Sequence, residues 1–193
     1  MIKCRNMYLK IKRLFDLFFS LIAILILTPL LVPVVIILRF TSEGEIFYLQ
    51  KRVGYNNKFF YIFKFATMLK NSSKMKGGYI TLKNDPRLTF LGPFLRKSKI
   101  NELPQLVNIL IGNMSFIGPR PVMNVSFQAY PKIIQDSIYN VKPGLSGIGS
   151  IIFRNEEDII SEIKEKDGNV LEFYQKSIYP YKGKLELWYQ DNI

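Results

Sequence analysis

There is no histidine anywhere in the 193 residues. That absence excludes Ser-His-Asp and Cys-His nucleophile systems, and with them every histidine-ligated metal site. Cysteine is nearly missing too. Cys4 stands alone, so no disulfide forms within the chain and no thiolate cluster holds a metal; a reducing compartment is consistent with the count. Acidic residues are few, 15 against 27 lysines and arginines, for a net charge of +12. Such a balance suits polyanionic partners: nucleic acid, anionic lipid headgroups or phosphorylated substrates. The phosphate-binding fingerprints are also missing. The stretch Gly147-Ile-Gly149-Ser-Ile-Ile152 lacks a third glycine, and no GxxxxGKS/T occurs.

What the sequence has in excess is one apolar run. Leu17 to Leu38 holds 22 residues without a charge, which as a helix at about 1.5 Å per residue reaches across a bilayer core of roughly 30 Å. A cleaved signal peptide fits poorly, because the run is too long and no small-residue cleavage site follows it. Basic residues flank it on both sides: Lys3, Arg5, Lys10, Lys12 and Arg13 before, Arg39, Lys51, Arg52 and Lys58 after. The positive-inside bias therefore has no direction, and both ends read as cytoplasmic. Pro29 and Pro33 sit near the middle, where each removes a backbone donor. A helix that breaks and returns to the same face reconciles charge with prolines; a single span with a tolerated kink is the alternative. Residues 1–40 are thus read as a basic N-terminus with a membrane helix. With 48% hydrophobic residues, the remaining 41–193 are expected to form one small cytoplasmic domain.

Beyond Phe40 the period shortens. "EIFYLQKRVG" and "KFFYIFKFATM" alternate and are rich in aromatic and β-branched residues, and the turn "GYNN" separates them, which predicts a hairpin. "KNDPRLTFLGPFLRKSKI" carries a short amphipathic segment with Phe90, Leu91, Phe94 and Leu95 ahead of Arg96, Lys97 and Lys99, a pattern shared by helices in the headgroup layer and by half-buried surface helices. "ELPQLVNILIGNM" predicts a helix closed by Gly112, with Asn101 as N-cap and Pro104 in its first turn. "FIGPRPV" reads as a rigid loop and "KPGLSGIG" as a glycine-rich turn. The last forty residues read as one or two helices with their acidic residues toward solvent. The fold class is therefore α/β, rich in helix, with a hairpin and interfacial amphipathic helices.

Two places invite chemistry. Arg120 lies between Pro119 and Pro121; the prolines stiffen the backbone around a planar fork that matches two phosphate oxygens, although a surface arginine in a tight loop has the same appearance. Asn101-Glu102 is one carboxylate beside an amide, equally readable as a polar cap followed by a glutamate that favours the helix dipole.

Taken together, "KRLFD", Pro29, "EGEIFYLQKRVG", "FKFATM", "NDPRLTFLGPFLRKSKINELPQLVNILIGNMSFIGPRP" and "KPGLSGIG" occur in the order seen in bacterial sugar transferases. The chain resembles the small monotopic polyprenyl-phosphate phosphoglycosyl transferases over roughly residues 10 to 155, and its tail "KGKLELWYQDN" is also similar. The resemblance implies transfer of a sugar 1-phosphate from a UDP-sugar to polyprenyl (undecaprenyl) phosphate. UMP would be released at the cytoplasmic face of the bacterial inner membrane, in the first step of O-antigen, capsule or related glycan assembly. It implies a re-entrant helix broken at Pro29, Mg²⁺ as cofactor, and a catalytic Asp-Glu pair directly before Leu-Pro. The matching residues are Asn101, at the position of the nucleophilic aspartate, and Glu102; both would be the metal's protein ligands, Asn101 the weaker. Lys64, Arg96 and Arg120 fall on cationic positions of that site, as does Arg154 past the Pro-Gly turn.

Two departures follow from the same comparison. Ala66 stands where the family has a second arginine after Lys64-Phe65, and Asn101 is a far poorer nucleophile and metal ligand than a carboxylate. An active enzyme that works through Glu102, a silent relative that binds UDP-sugar or a glycan-assembly partner, and an introduced Asp-to-Asn change all remain open. Membrane lipids are an expected partner and nucleic acid is not, since no base-reading motif accompanies the charge. A homo-oligomer and downstream glycosyltransferases stay open as further partners. Sugar choice is expected to lie in Ser72 to Leu82 and Ser150 to Glu157.

Overall fold

The computed structural model describes residues 2–41, 43–72, 75, 85–165 and 169–193. Most of the expected specificity segment Ser72 to Leu82 lies outside them.

The apolar run forms α1, Ile2–Thr41, with Pro29 and Pro33 inside it. A break near Pro29 was expected, but α1 stays helical past both prolines. Among the described residues it is the one helix long and apolar enough to cross a membrane. One stripe of α1 faces the rest of the chain. Asp16 and Ser20 are buried, Ala23, Ile24 and Leu27 pack on Ile62, Leu106 and Ile109, and Leu31, Val34, Val35 and Leu38 pack on Phe65 and Leu95. These positions recur every three or four residues, as one face of a helix requires. The other faces expose Phe15, Phe18, Phe19, Leu25, Ile26 and Leu30, a continuous apolar surface of the kind that meets lipid or another protein.

The strand-like stretches form the expected hairpin. β1 (Phe47–Val53) pairs antiparallel with β2 (Phe59–Phe65), Phe47 opposite Phe65 and Val53 opposite Phe59. Asn56 and Asn57 carry positive φ in the connection, a conformation asparagine tolerates because its short amide bonds locally. In α2 (Gly92–Lys97), Leu95 is buried while Phe94 points outward, as does Phe90 just ahead of the helix.

The next helix begins later than the sequence predicts. Asn101 is not its cap; it sits inside a tight helical turn at Ile100–Glu102, entered through Lys99 at φ 60°, and α3 runs Gln105–Ile111 with Pro104 at its cap. A proline without an N–H is better placed at the boundary than within the ladder. Gly112, at φ 97°, closes α3 as expected.

The loop "FIGPRPV" and the glycine turn prove to be partners. β3 (Ser115–Ile117) and β4 (Gly144–Ser146) pair in parallel, Ser115 with Gly144 and Ile117 with Ser146. The backbones approach so closely that a Cβ on Gly144 would lie 2.2 Å from the Gly118 nitrogen. Strands of three residues carry no readable alternation, which is why the pair reads as loops in the sequence. Between them lie α4 (Asn124–Gln128) and α5 (Lys132–Ser137), and after them α6 (Ile148–Ile152), α7 (Glu156–Glu165), α8 (Val170–Phe173) and α9 (Tyr179–Asp191). Not all tail carboxylates face solvent: Glu186, on α9, is buried. A second core of Val53, Phe127, Tyr130, Ile134, Ile138 and Tyr139 receives α9 through Tyr179 and Leu187.

Candidate functional site

The site forms on one face of the hairpin. Directly paired residues share a face, and so do positions two apart; Gln50, Arg52, Ile62 and Lys64 therefore point the same way. Two segments come to meet them, the turn carrying Glu102 and the loop from β3 carrying Arg120.

Glu102 is the centre. Its Oε1 lies 3.1 Å from Lys64 Nζ and 2.7 Å from Arg120 Nη2, one acceptor shared by two cations. Burial alone would raise this carboxyl, but Arg120 and Lys64 together outweigh it and hold it well below the usual carboxylate range. Burial lowers Lys64 to about 8, Glu102 opposing the shift and Arg120 and Arg52 adding to it. Arg52 brings a third cation to the site, lowered to about 10 by burial and by Arg120. Its Nε and Nη2 bond Gln50 Oε1 at 3.2 and 2.6 Å, and its Nη1 reaches the Pro121 carbonyl at 3.3 Å. Three cations thus face one carboxylate beside a small open cleft lined by Arg52, Lys64, Gln105, Arg120 and Pro121. Opposed charges in that ratio suit a ligand with two or more negative charges, such as a diphosphate.

The loop carrying Arg120 is tied from behind. Tyr139, fully buried, donates its hydroxyl to the Arg120 carbonyl at 2.8 Å and accepts the Val122 N–H at 3.0 Å. Tyr139 and Arg52 therefore hold three consecutive residues, so the guanidinium hangs from a fixed stem. The KRLFD segment secures the strand before the loop. Lys12 donates to the Ser115 hydroxyl and the Ile117 carbonyl, Asp16 accepts the Phe116 N–H at 3.1 Å, and Arg13 donates to the Ile109 and Leu110 carbonyls at the end of α3. A cation is favoured at that helix end, where unpaired carbonyls concentrate negative charge.

The sequence-predicted residues separate into two groups. Lys64, Glu102 and Arg120 are brought together. Arg96 is half-buried in the last turn of α2, and Arg154 is exposed beyond α6, outside the Glu102 ion pairs. Asn101 is 8% exposed, and its Oδ1 is buried with no hydrogen-bond partner. The sequence assigned no role to Arg52, Tyr139, Lys12, Arg13 or Asp16, although Lys12, Arg13 and Asp16 make up most of the KRLFD motif and Arg52 lies in EGEIFYLQKRVG, two residues from Gln50 on a strand.

No group of three or more His, Cys, Asp or Glu side chains converges among the described residues. Mg²⁺ is commonly held by one or two carboxylates together with substrate phosphates. Glu102 supplies one carboxylate here, and Asn101 Oδ1 is a buried amide oxygen without a hydrogen-bond partner.

The model of a family described as bacterial sugar transferase matches residues 7–192. The chain is 35% identical over 159 residues to the exopolysaccharide production protein ExoY of Sinorhizobium fredii, covering 75% of this chain and 70% of that protein. It is 37% identical to the undecaprenyl-phosphate glucose phosphotransferase of Komagataeibacter xylinus, over 72% of this chain and 27% of that one. It is 34% identical to the undecaprenyl-phosphate galactose phosphotransferase of Salmonella typhimurium, over 77% and 34% respectively.

Proposed function

The chain belongs to the bacterial sugar transferase family, and from that premise we propose that it moves a sugar 1-phosphate from a UDP-sugar to polyprenyl phosphate, releasing UMP. The observation that carries this reading is the sharing of Glu102 between Lys64 and Arg120, with Arg52 alongside, at the edge of an open cleft. A diphosphate entering that cleft meets Lys64 and Arg120 already set in place around Glu102.

The reaction is a single displacement. An oxygen of the acceptor phosphate attacks the sugar-linked β-phosphorus, the bond from that phosphorus to the oxygen bridging to the α-phosphorus breaks, and the electron pair leaves with UMP. Asn101 has no carboxylate with which to form an intermediate. Transfer of this kind needs chiefly alignment and charge stabilisation, which fixed cations provide. Arg120 and Lys64 stabilise charge on the transferring and leaving oxygens, and Glu102, ionised throughout the working range, keeps both cations aimed. Mg²⁺, held by Glu102 and Asn101 Oδ1 together with the diphosphate, would supply further neutralisation of the leaving phosphate.

The chain works at the cytoplasmic face of the bacterial inner membrane, with α1 entering and leaving on that face. The support is that α1 touches the domain near both ends, through Lys12, Arg13 and Asp16 at one and Leu38 at the other, and that both flanks are basic. The reading is tested with the purified chain in nanodiscs, undecaprenyl phosphate, Mg²⁺ and a panel of UDP-sugars: UMP release that requires the lipid supports it, and its absence with every donor refutes it. One observation favours a second reading, a silent relative that binds UDP-sugar: Asn101 at the usual nucleophile position. That reading requires binding without UMP release, even after Asn101→Asp.

A further inference from the structure

We propose that Gln105 is a substrate-binding residue of the cleft, and that its amide takes the group at carbon 2 of the donor sugar, a hydroxyl or an acetamido group. The proposal rests on reading that cleft as the seat of a UDP-sugar.

Gln105 is 3% exposed, and it lines the cleft beside Arg52, Lys64, Arg120 and Pro121. Among the described residues its amide has no hydrogen-bond partner. The same helix supplies the contrast. Asn108, one turn on, is fully buried and both ends of its amide are used, Nδ2 donating to the Tyr61 carbonyl at 2.7 Å and Oδ1 accepting the Phe63 N–H at 2.9 Å. Where packing is its task, a buried amide is satisfied by the fold. One left without a partner costs stability, and at a cleft wall the missing partner is what a ligand supplies.

The backbone explains why Gln105 stands at the site. Leu103 and Pro104 are both right-handed helical, at φ −57° and −59°, so the chain winds from the Ile100–Glu102 turn into α3 without reversing. Residues three apart on such a path share a face, and Gln105 follows Glu102 by three.

What the amide meets follows from the chemistry of its neighbours. Arg52, Lys64 and Arg120 only donate hydrogen bonds and an ionised diphosphate only accepts them, so these groups satisfy one another. Glu102 accepts, but its Oε1 is already shared by Lys64 and Arg120. Gln105 brings an acceptor and a donor on one neutral group. On a UDP-sugar the hydrogen-bond donor nearest the transferring β-phosphorus is at carbon 2, next to the carbon that carries the phosphate; the uracil N–H lies beyond the ribose. A hydroxyl and an acetamido group there each offer a hydrogen to the amide oxygen and an oxygen to the amide N–H.

The experiment uses the full chain in nanodiscs with undecaprenyl phosphate and Mg²⁺, and follows UMP release by wild type and Gln105→Met. Two donors are compared: whichever of UDP-glucose, UDP-galactose and their N-acetylamino counterparts is turned over fastest, and the matching UDP-2-deoxy sugar. Wild type should use the 2-deoxy donor about tenfold or more worse in kcat/KM. Gln105→Met, similar in size but without an amide, should lose about as much on the full donor, while its penalty on the 2-deoxy donor stays below about threefold. An equal penalty on both donors, or none on either, would overturn the assignment. If Gln105→Met does not fold, the wild type decides: discrimination against the 2-deoxy donor supports the role, and equal turnover overturns it. If no donor gives UMP, the phosphate-transfer reading has failed, and calorimetric binding of the same UDP-sugars and their 2-deoxy forms decides for Gln105. A full donor bound more tightly than its 2-deoxy form by wild type, and not by Gln105→Met, supports the role; any other pattern overturns it.

Discussion

Tyr139 and Arg120 are joined across nineteen residues by a phenol that donates 2.8 Å to the arginine carbonyl, and the same oxygen accepts the Val122 N–H at 3.0 Å. Tyr139→Phe keeps the ring stacked on Phe127 but leaves a buried carbonyl and N–H without their partner. The expected cost is about 1–3 kcal/mol, read from urea unfolding in detergent, together with a severalfold rise in KM for the UDP-sugar. Unchanged stability with unchanged KM would show that the loop keeps its shape without the phenol.

Gly144→Ala tests the parallel strand pair. Its methyl group would meet the Gly118 nitrogen at 2.2 Å and the Ser146 carbonyl oxygen at 2.4 Å, both backbone atoms that cannot rotate away. A loss of roughly 3 kcal/mol or more is expected, with failure to accumulate as folded protein the measured result.

Asp16→Ala removes the acceptor of the Phe116 N–H and the 3.8 Å pairing with Lys12. The loss of about 2 kcal/mol should lower Tm by roughly 4–8 °C in a chain of this size. Asp16→Asn, which keeps an acceptor oxygen, should recover most of it in the same differential scanning measurement.

Stability should fall with pH through the weakly acid range because of Glu186. Its folded pKa is raised, from 4.5 to about 7, chiefly by burial. Between those values the folded chain holds a proton that the unfolded chain has released, so the stabilisation is complete below about 4.5 and is lost as pH rises through about 7. Unfolding midpoints across that window should decline in the wild type, and Glu186→Gln should flatten the decline.

Much of the frame was legible in the sequence, for identifiable reasons. The hairpin followed from alternation around an Asn-Asn turn, and the apolar helix from its length. Lys64, Glu102 and Arg120 were each singled out, yet their convergence depends on hairpin register and on the pairing of β3 with β4, and those three-residue strands have no period to read. Asn101 was misplaced by one structural unit because Pro104 serves as the boundary of α3 better than as its interior. Glu186 was read as solvent-facing because carboxylates usually are; it is buried because α9 docks on the core through Tyr179 and Leu187, a long-range packing that a sequence does not display.

Single displacement governed by Glu102 is read from UMP release with and without undecaprenyl phosphate, for the unaltered chain, Glu102→Gln and Asn101→Asp. The unaltered chain should release UMP only when the lipid phosphate is present. Glu102→Gln should reduce that release by about a hundredfold or more, and Asn101→Asp should add a lipid-independent burst stoichiometric with enzyme. A lipid-independent burst from the unaltered chain, or sustained turnover in Glu102→Gln, would contradict the account.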